Sequence, residues 1–253
     1  MPARPAIIPI HLIMHVIHSI ALAAVLAIPT ATLAQPSEPE RVRPGTMLDT
    51  TFIRGGTDFL AILIDYEGDT MRIGTAVLET RIDSMSGARH VTYVQRLLVE
   101  DSPSANETDS MHLDWGTLLP ISAHRRGHDP RDYVFESPGV RILSLRDSTT
   151  YEEVLHAPVF YVAIGPLLRA LPLRAGYHAV LPVLPEDGGA GEMHVTVTRE
   201  AHARALDGAA CPSFVVEVQS EPVTGTFHLS TADRSVVRFD AEYTTLVRPA
   251  GCP

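Results

Sequence analysis

Phe59-Leu-Ala-Ile-Leu-Ile-Asp-Tyr66, closed by Glu67-Gly68-Asp69, is the stretch that decides the fold class. It is a short apolar run bounded by turn residues, which suits a buried strand better than a helix. Met71 to Asp83 and His90 to Glu100 follow, both rich in Val, Ile, Thr and Tyr, with Ser84-Met-Ser-Gly87 between them as a turn. Together the three segments predict a β-meander.

Toward the C-terminus the same rhythm continues. After a polar loop at Asp101–Asp109, strands are predicted at Ser110–Trp115, Leu118–His124, Tyr133–Glu136 and Val140–Leu145. Gly116, Gly127 with Pro130, and Ser137-Pro-Gly139 separate them. Later come Tyr177–Leu184, Glu192–Glu200, Ser213–Ser220, Gly225–Ser230 and Ser235–Leu246. Turns at Pro185–Gly191, Asp207-Gly208, Glu221-Pro222 and Ala232-Asp233 space these as in an up-and-down antiparallel sheet. One segment breaks the pattern: Val159 to Leu171 is apolar except for Arg169 and ends at Pro172. It predicts a buried helix, kinked at Pro166 or starting there, because proline fits a first turn and disrupts an interior one.

Residues 1–34 hold one basic residue, Arg4, an apolar run from Ile20 to Ile28, and Thr32-Leu33-Ala34 before Gln35. That is the pattern of a secretory signal peptide cleaved near Ala34/Gln35, and it predicts a periplasmic or secreted protein with no stable transmembrane segment after cleavage. An uncleaved anchor is the competing reading, opposed by Pro5, Pro9, His11, His15 and His18 in the earlier apolar part. Residues 35–57, rich in Pro, Glu, Arg and Gly, are expected to be a flexible lead-in, and residues 58–253 a single β domain. Cys211 and Cys252, an even count in an oxidising compartment, are expected to form a disulfide.

The chain carries a formal net charge of −10, which argues against nucleic acid as a partner. All 20 basic residues are arginine, so Schiff-base, Ser-Lys and P-loop lysine chemistry is excluded. There is no Gly-x-Ser-x-Gly, His-Glu-x-x-His, Gly-rich phosphate loop or calcium loop. His124 and His128 lie four apart beside Asp129 and Asp132, a spacing that would serve a metal on a helix. Their segment, His-Arg-Arg-Gly-His-Asp-Pro, reads as a turn, and its arginines repel a divalent cation. Asp65 with Glu67 and Glu186 with Asp187 are carboxylate pairs in turns, where surface charge is the ordinary role. Neither a metal nor any other cofactor is expected, and the chain is not expected to be an enzyme.

Between Asp114 and Val247 lie Thr117-Leu-Leu-Pro120, Pro158-Val-Phe160, Leu167-Leu-Arg-Ala-Leu-Pro-Leu173 with Gly176-Tyr177, Val195-Thr-Val197, Val215-Val-Glu-Val218 and Phe227-His-Leu-Ser230. In these the chain resembles uncharacterised bacterial periplasmic families related to the lipoprotein-carrier (LolA/LolB-like) β half-barrels. The Leu-Leu-Arg-x-Leu-Pro-Leu run followed by Gly-Tyr is the most specific element. Where such families often carry tryptophan in two late strands, this chain has Phe214 and Phe227. The resemblance implies a mainly β fold, a curved antiparallel up-and-down sheet (half-barrel) wrapped around one or two short helices. It brings no catalytic residues.

A half-open sheet has an apolar concave face that the 159–171 helix can only partly cover. The expected ligand is therefore a hydrophobic or amphiphilic small molecule, lined by Phe160, Leu167, Leu168 and Leu171 with Phe214 and Phe227 opposite. A second expectation is a cell-envelope structural or assembly factor that holds a protein partner by a sheet edge or by the acidic surface. A hydrolase with a dispersed triad is the third.

Overall fold

The computed structural model describes residues 39–43, 48–85, 87–136, 139–155, 160–161, 164–185, 189–220 and 223–253. The signal peptide expected at 1–34 lies outside them, as do Pro158, Val159, Glu186 and Asp187. In chain order the strands are β1 (Glu40–Arg41), β2 (Gly56–Tyr66), β3 (Asp69–Met85), β4 (Ala88–Val99), β5 (Glu107–Asp114), β6 (Pro120–Arg126), β7 (Arg131–Glu136) and β8 (Gly139–Ser144). Then come β9 (Thr150–Val154), β10 (Phe160–Tyr161), the helix α1 (Ile164–Ala170), β11 (His178–Leu184), β12 (Gly191–Arg204) and β13 (Ala210–Gln219). The chain closes with β14 (Thr224–Ser230), β15 (Val236–Asp240) and β16 (Thr244–Val247).

All these strands belong to one sheet. Its order is β1, then β11 through β16, then β2 through β9, with β10 also on the edge of β11. The two meanders join where β16 pairs antiparallel with β2. Among the described strands only β1 and β10, each two residues long, run parallel to their neighbour β11. The fold is thus mainly β, a curved antiparallel sheet with one short α-helix among the described residues, in the up-and-down order that the strand-and-turn rhythm predicts.

Register shifts at Ile62/Leu63, His112/Leu113, Val197/Arg199 and His228/Leu229 supply curvature, because each extra residue bends its strand and increases the local twist. The Gly189 N–H, in the loop after β11, donates to Glu153 Oε1 of the edge strand β9 at 2.8 Å. That bond links the loop beyond β11 to a side chain of the opposite edge strand.

Alternation decides which side chains enter the core. On β4, Val91 and Tyr93 are buried inward while Leu98 points outward. Inside the curve sits α1. Pro166 occupies its first turn, where the missing N–H would have had no partner in any case, and Pro172 follows its end. The C-terminal carbonyls are satisfied by distant elements: Asp49 N–H donates to Ala170 O at 2.8 Å. Arg234 Nη1 donates to Arg169 O at 2.6 Å and Leu171 O at 2.8 Å. Arg169 itself reaches Asp58 at 2.6 Å, and Arg248 takes the other oxygen of the same carboxylate at 2.8 Å.

Several elements differ from the sequence reading. The segment read as a helix from Val159 divides, with Phe160–Tyr161 in β10 and the helix confined to Ile164–Ala170, because Phe160 pairs in register with Val183. The single strand read over Ser235–Leu246 is a hairpin, β15 and β16, turning at 241–243. Asp109, assigned to a loop, lies inside β5, and β9 was not read as a strand at all. Within 35–57, β1 pairs with β11 and Thr50–Phe52 forms a 3-10 turn. Cys211 and Cys252 come to disulfide distance, with Cα atoms 5.2 Å apart, as expected. Among the described residues no helix is long and apolar enough to cross a membrane.

Candidate functional site

Three successive inward positions on β4 are Val91, Tyr93 and Gln95, and on β5 they are Asp109, Met111 and Leu113. Two of these six are polar. Cross-strand pairing puts Leu78, Gln95, Asp109 and Arg125 in one row across β3 to β6. The next row, Tyr93, Met111, Ala123 and Tyr133, is buried throughout. A polar band thus borders the core on the inside of the sheet, where side-chain alternation would ordinarily place apolar residues.

At this border lies a cavity of about 150 Å³. Leu60, Leu78, Met111, Phe227, Phe239 and Leu246 supply apolar walls from both meanders. Ile164 and Gly165, the first turn of α1, close the top. Tyr93, Gln95 and Asp109 provide the polar corner. Gln95, Asp109, Ile164, Val223, Phe239 and Leu246 are each partly exposed, so the space communicates with solvent.

Two glycines make this geometry possible. A Cβ on Gly165 would fall 2.9 Å from the Tyr93 hydroxyl oxygen, so glycine lets the helix start against that phenol. A Cβ on Gly225 would fall 2.5 Å from the Phe239 ring, and its absence lets Phe239 stack on the directly paired Phe227 with centroids 4.2 Å apart.

The electrostatics single out Asp109. Its Oδ1 is buried and has no hydrogen-bond partner among the described residues. Burial pushes its carboxyl above the ordinary value, the Arg125 charge opposes that shift, and Glu107 adds to it. Arg125 donates to Glu107 Oε2 at 3.2 Å. Burial also pushes the Tyr93 phenol up to about 12, which keeps it a neutral donor. Asp240 is the contrasting case, for burial would raise its carboxyl, yet hydrogen bonds from His228, Arg238 and Thr245 hold it well below the usual range. An acid satisfied by its own neighbours behaves as Asp240 does.

The residues proposed from sequence as ligand contacts divide sharply. Phe160, Leu167, Leu168 and Leu171 are at most 1% exposed and belong to the packed core. Phe214 packs against that core from a partly buried position. Phe227 alone lines the cavity. Gln95 and Asp109 were missed, although Gln95 falls on the parity of Val91 and Tyr93 and was legible as an inward polar residue. Asp109 closes a polar run, Asp101–Asp109, that has no apolar alternation to mark it as inward.

The histidines lie elsewhere. His124 stands on β6, its Nδ1 2.8 Å from Asp132 Oδ1, and Arg126 binds the same carboxylate at 2.7 Å. Among the described residues no group of three or more His, Cys, Asp or Glu is arranged to hold a metal ion. A wider cleft of about 620 Å³ at the β7–β9 edge is lined by charged side chains, among them Arg131 and Asp129, which pair with each other. No protein-family profile, curated protein or solved structure matches this chain.

Proposed function

We propose that this is a non-enzymatic, exported binding protein that holds a small apolar or amphiphilic molecule in the inside face of its curved sheet. The observation that carries the reading is the cavity between the first turn of α1 and the β14–β16 and β2–β5 strands, apolar on most sides with one polar corner. Its size favours a single ring or the end of an alkyl chain, since a cavity of roughly 150 Å³ lined by apolar side chains accepts benzene. A whole acyl chain does not fit, because α1 fills the remainder of the face. The N-terminal segment supports a periplasmic setting.

Titration with toluene, followed by NMR shifts of the cavity-lining methyl groups, tests this. Wild type should bind with saturable shifts confined to Leu60, Leu78, Leu246 and their neighbours. Leu246→Trp should fill the mouth and abolish the effect while the protein remains folded. Absence of saturable binding to the wild type would overturn the reading.

A second reading is an envelope assembly factor with a protein partner, and one observation favours it. Among the described strands β9 pairs only with β8, and Tyr151 is 57% and Val154 69% exposed. Such an edge accepts an added strand.

A further inference from the structure

We infer that the cavity takes an amine-headed amphiphile, with the Asp109 carboxylate receiving its ammonium group and the Phe227–Phe239 wall holding its apolar body. This rests on the cavity being a binding site at all, and it goes further by naming the head group.

Asp109 lines the polar corner of an otherwise apolar cavity, and its shielded Oδ1 has no hydrogen-bond partner among the described residues. A buried acceptor left unsatisfied is costly, and the missing complement is a donor. Hydrocarbon supplies none, and a carboxylate head supplies a second acceptor. The local charge points the same way, since Glu107 and Asp109 face the single guanidinium of Arg125 across the β5–β6 pair. An ammonium group balances that excess, whereas a carboxylate adds to it. The chain as a whole is acidic, with a net charge of −10, which draws cationic ligands in preference to anionic ones.

The raised proton affinity of Asp109 fits this geometry, because a carboxyl in a partly dry site waits for a compensating charge. The groups facing it are Gln95 and Tyr93 from β4, Arg125 from β6, Glu107 on its own strand, and Ile164 and Gly165 from α1. Binding of an ammonium group should therefore strengthen as pH rises and Asp109 loses its proton. Toluene binding, which involves no charge, should stay flat.

Benzylamine, toluene and benzoate share one ring and differ in the head, so they separate the possibilities. With the full chain, benzylamine should bind most tightly. Asp109→Asn should weaken benzylamine by about tenfold to a hundredfold relative to toluene, the loss expected for a charge-assisted hydrogen bond. A pH series on the wild type from about pH 4 to about pH 7 is the second measurement, independent of whether the variant folds. Benzoate binding as tightly as benzylamine, an unchanged benzylamine affinity in Asp109→Asn, or benzylamine affinity that does not rise with pH would each overturn the amine assignment. Toluene binding would then still stand for the cavity. Failure of all three probes would overturn the cavity reading itself.

Discussion

Asp109 shows how a single side chain sets stability against recognition. Its folded-state carboxyl holds a proton more tightly than the 3.8 expected when unfolded, because burial disfavours the charge. A group raised in the folded state contributes stability at low pH and loses it as pH rises through the folded value. Asp109→Asn removes that dependence. The variant should therefore melt higher than wild type at about pH 7, with the gain vanishing near pH 3, as measured by calorimetry across pH. Equal melting temperatures at both pH values would show that the carboxylate is accommodated without a ligand. Stabilisation on neutralising a buried ionisable side chain is characteristic of positions kept for binding. Leu168 is the opposite kind of residue, fully buried and surrounded by core, and its large apolar side chain acts through packing alone.

At the scale of elements, α1 is too short to be stable by itself and depends on what surrounds it. Its C-terminal carbonyls are held by Arg234, whose guanidinium also lies 3.2 Å from the Phe52 ring centre. Arg234→Ala leaves those carbonyls without the donor and should cost about 1–3 kcal/mol, read as a lower urea midpoint at unchanged m-value. Alanine keeps a Cβ at the same positive φ of 60°, so the backbone contribution cancels in the comparison. An unchanged midpoint would mean that Asp49 N–H and water suffice. The strands differ in how plainly the sequence announces them. β2, β3 and β4 carry β-branched and aromatic residues in runs bounded by turns, and their pattern is self-contained. β9, Thr-Tyr-Glu-Glu-Val, is an edge strand exposed almost along its length and has no buried face to write an alternation into. The β15–β16 turn holds Ala241-Glu242-Tyr243, with neither Gly nor Pro to mark it.

At the scale of the molecule, one covalent tie fastens the C-terminus to β13, with Cys211 and Cys252 separated by 41 positions. Constraining the unfolded chain over such a loop contributes about 3–4 kcal/mol. Reduction should accordingly lower the melting temperature by about 10 °C in a scan with and without reductant, and Cys252→Ala should reproduce the loss. A difference within about 2 °C would show that the C-terminal segment, whose Gly251 N–H also donates to Asp207 at 2.9 Å, is held without it. By itself the sequence determined the strand-rich class, the meander order, the apolar helix inserted between two runs of strands, and the cysteine pair, because each is written in local periodicity, turn chemistry or composition. Only the tertiary structure decided that β16 pairs with β2, that Arg234 and Asp49 finish the helix, and that α1 seals its own leucines while leaving a gap beside its first turn. Those outcomes depend on which distant strands become neighbours and how far the sheet curls. Pairing register and bulge positions fix both, and neither is encoded within a single window of sequence.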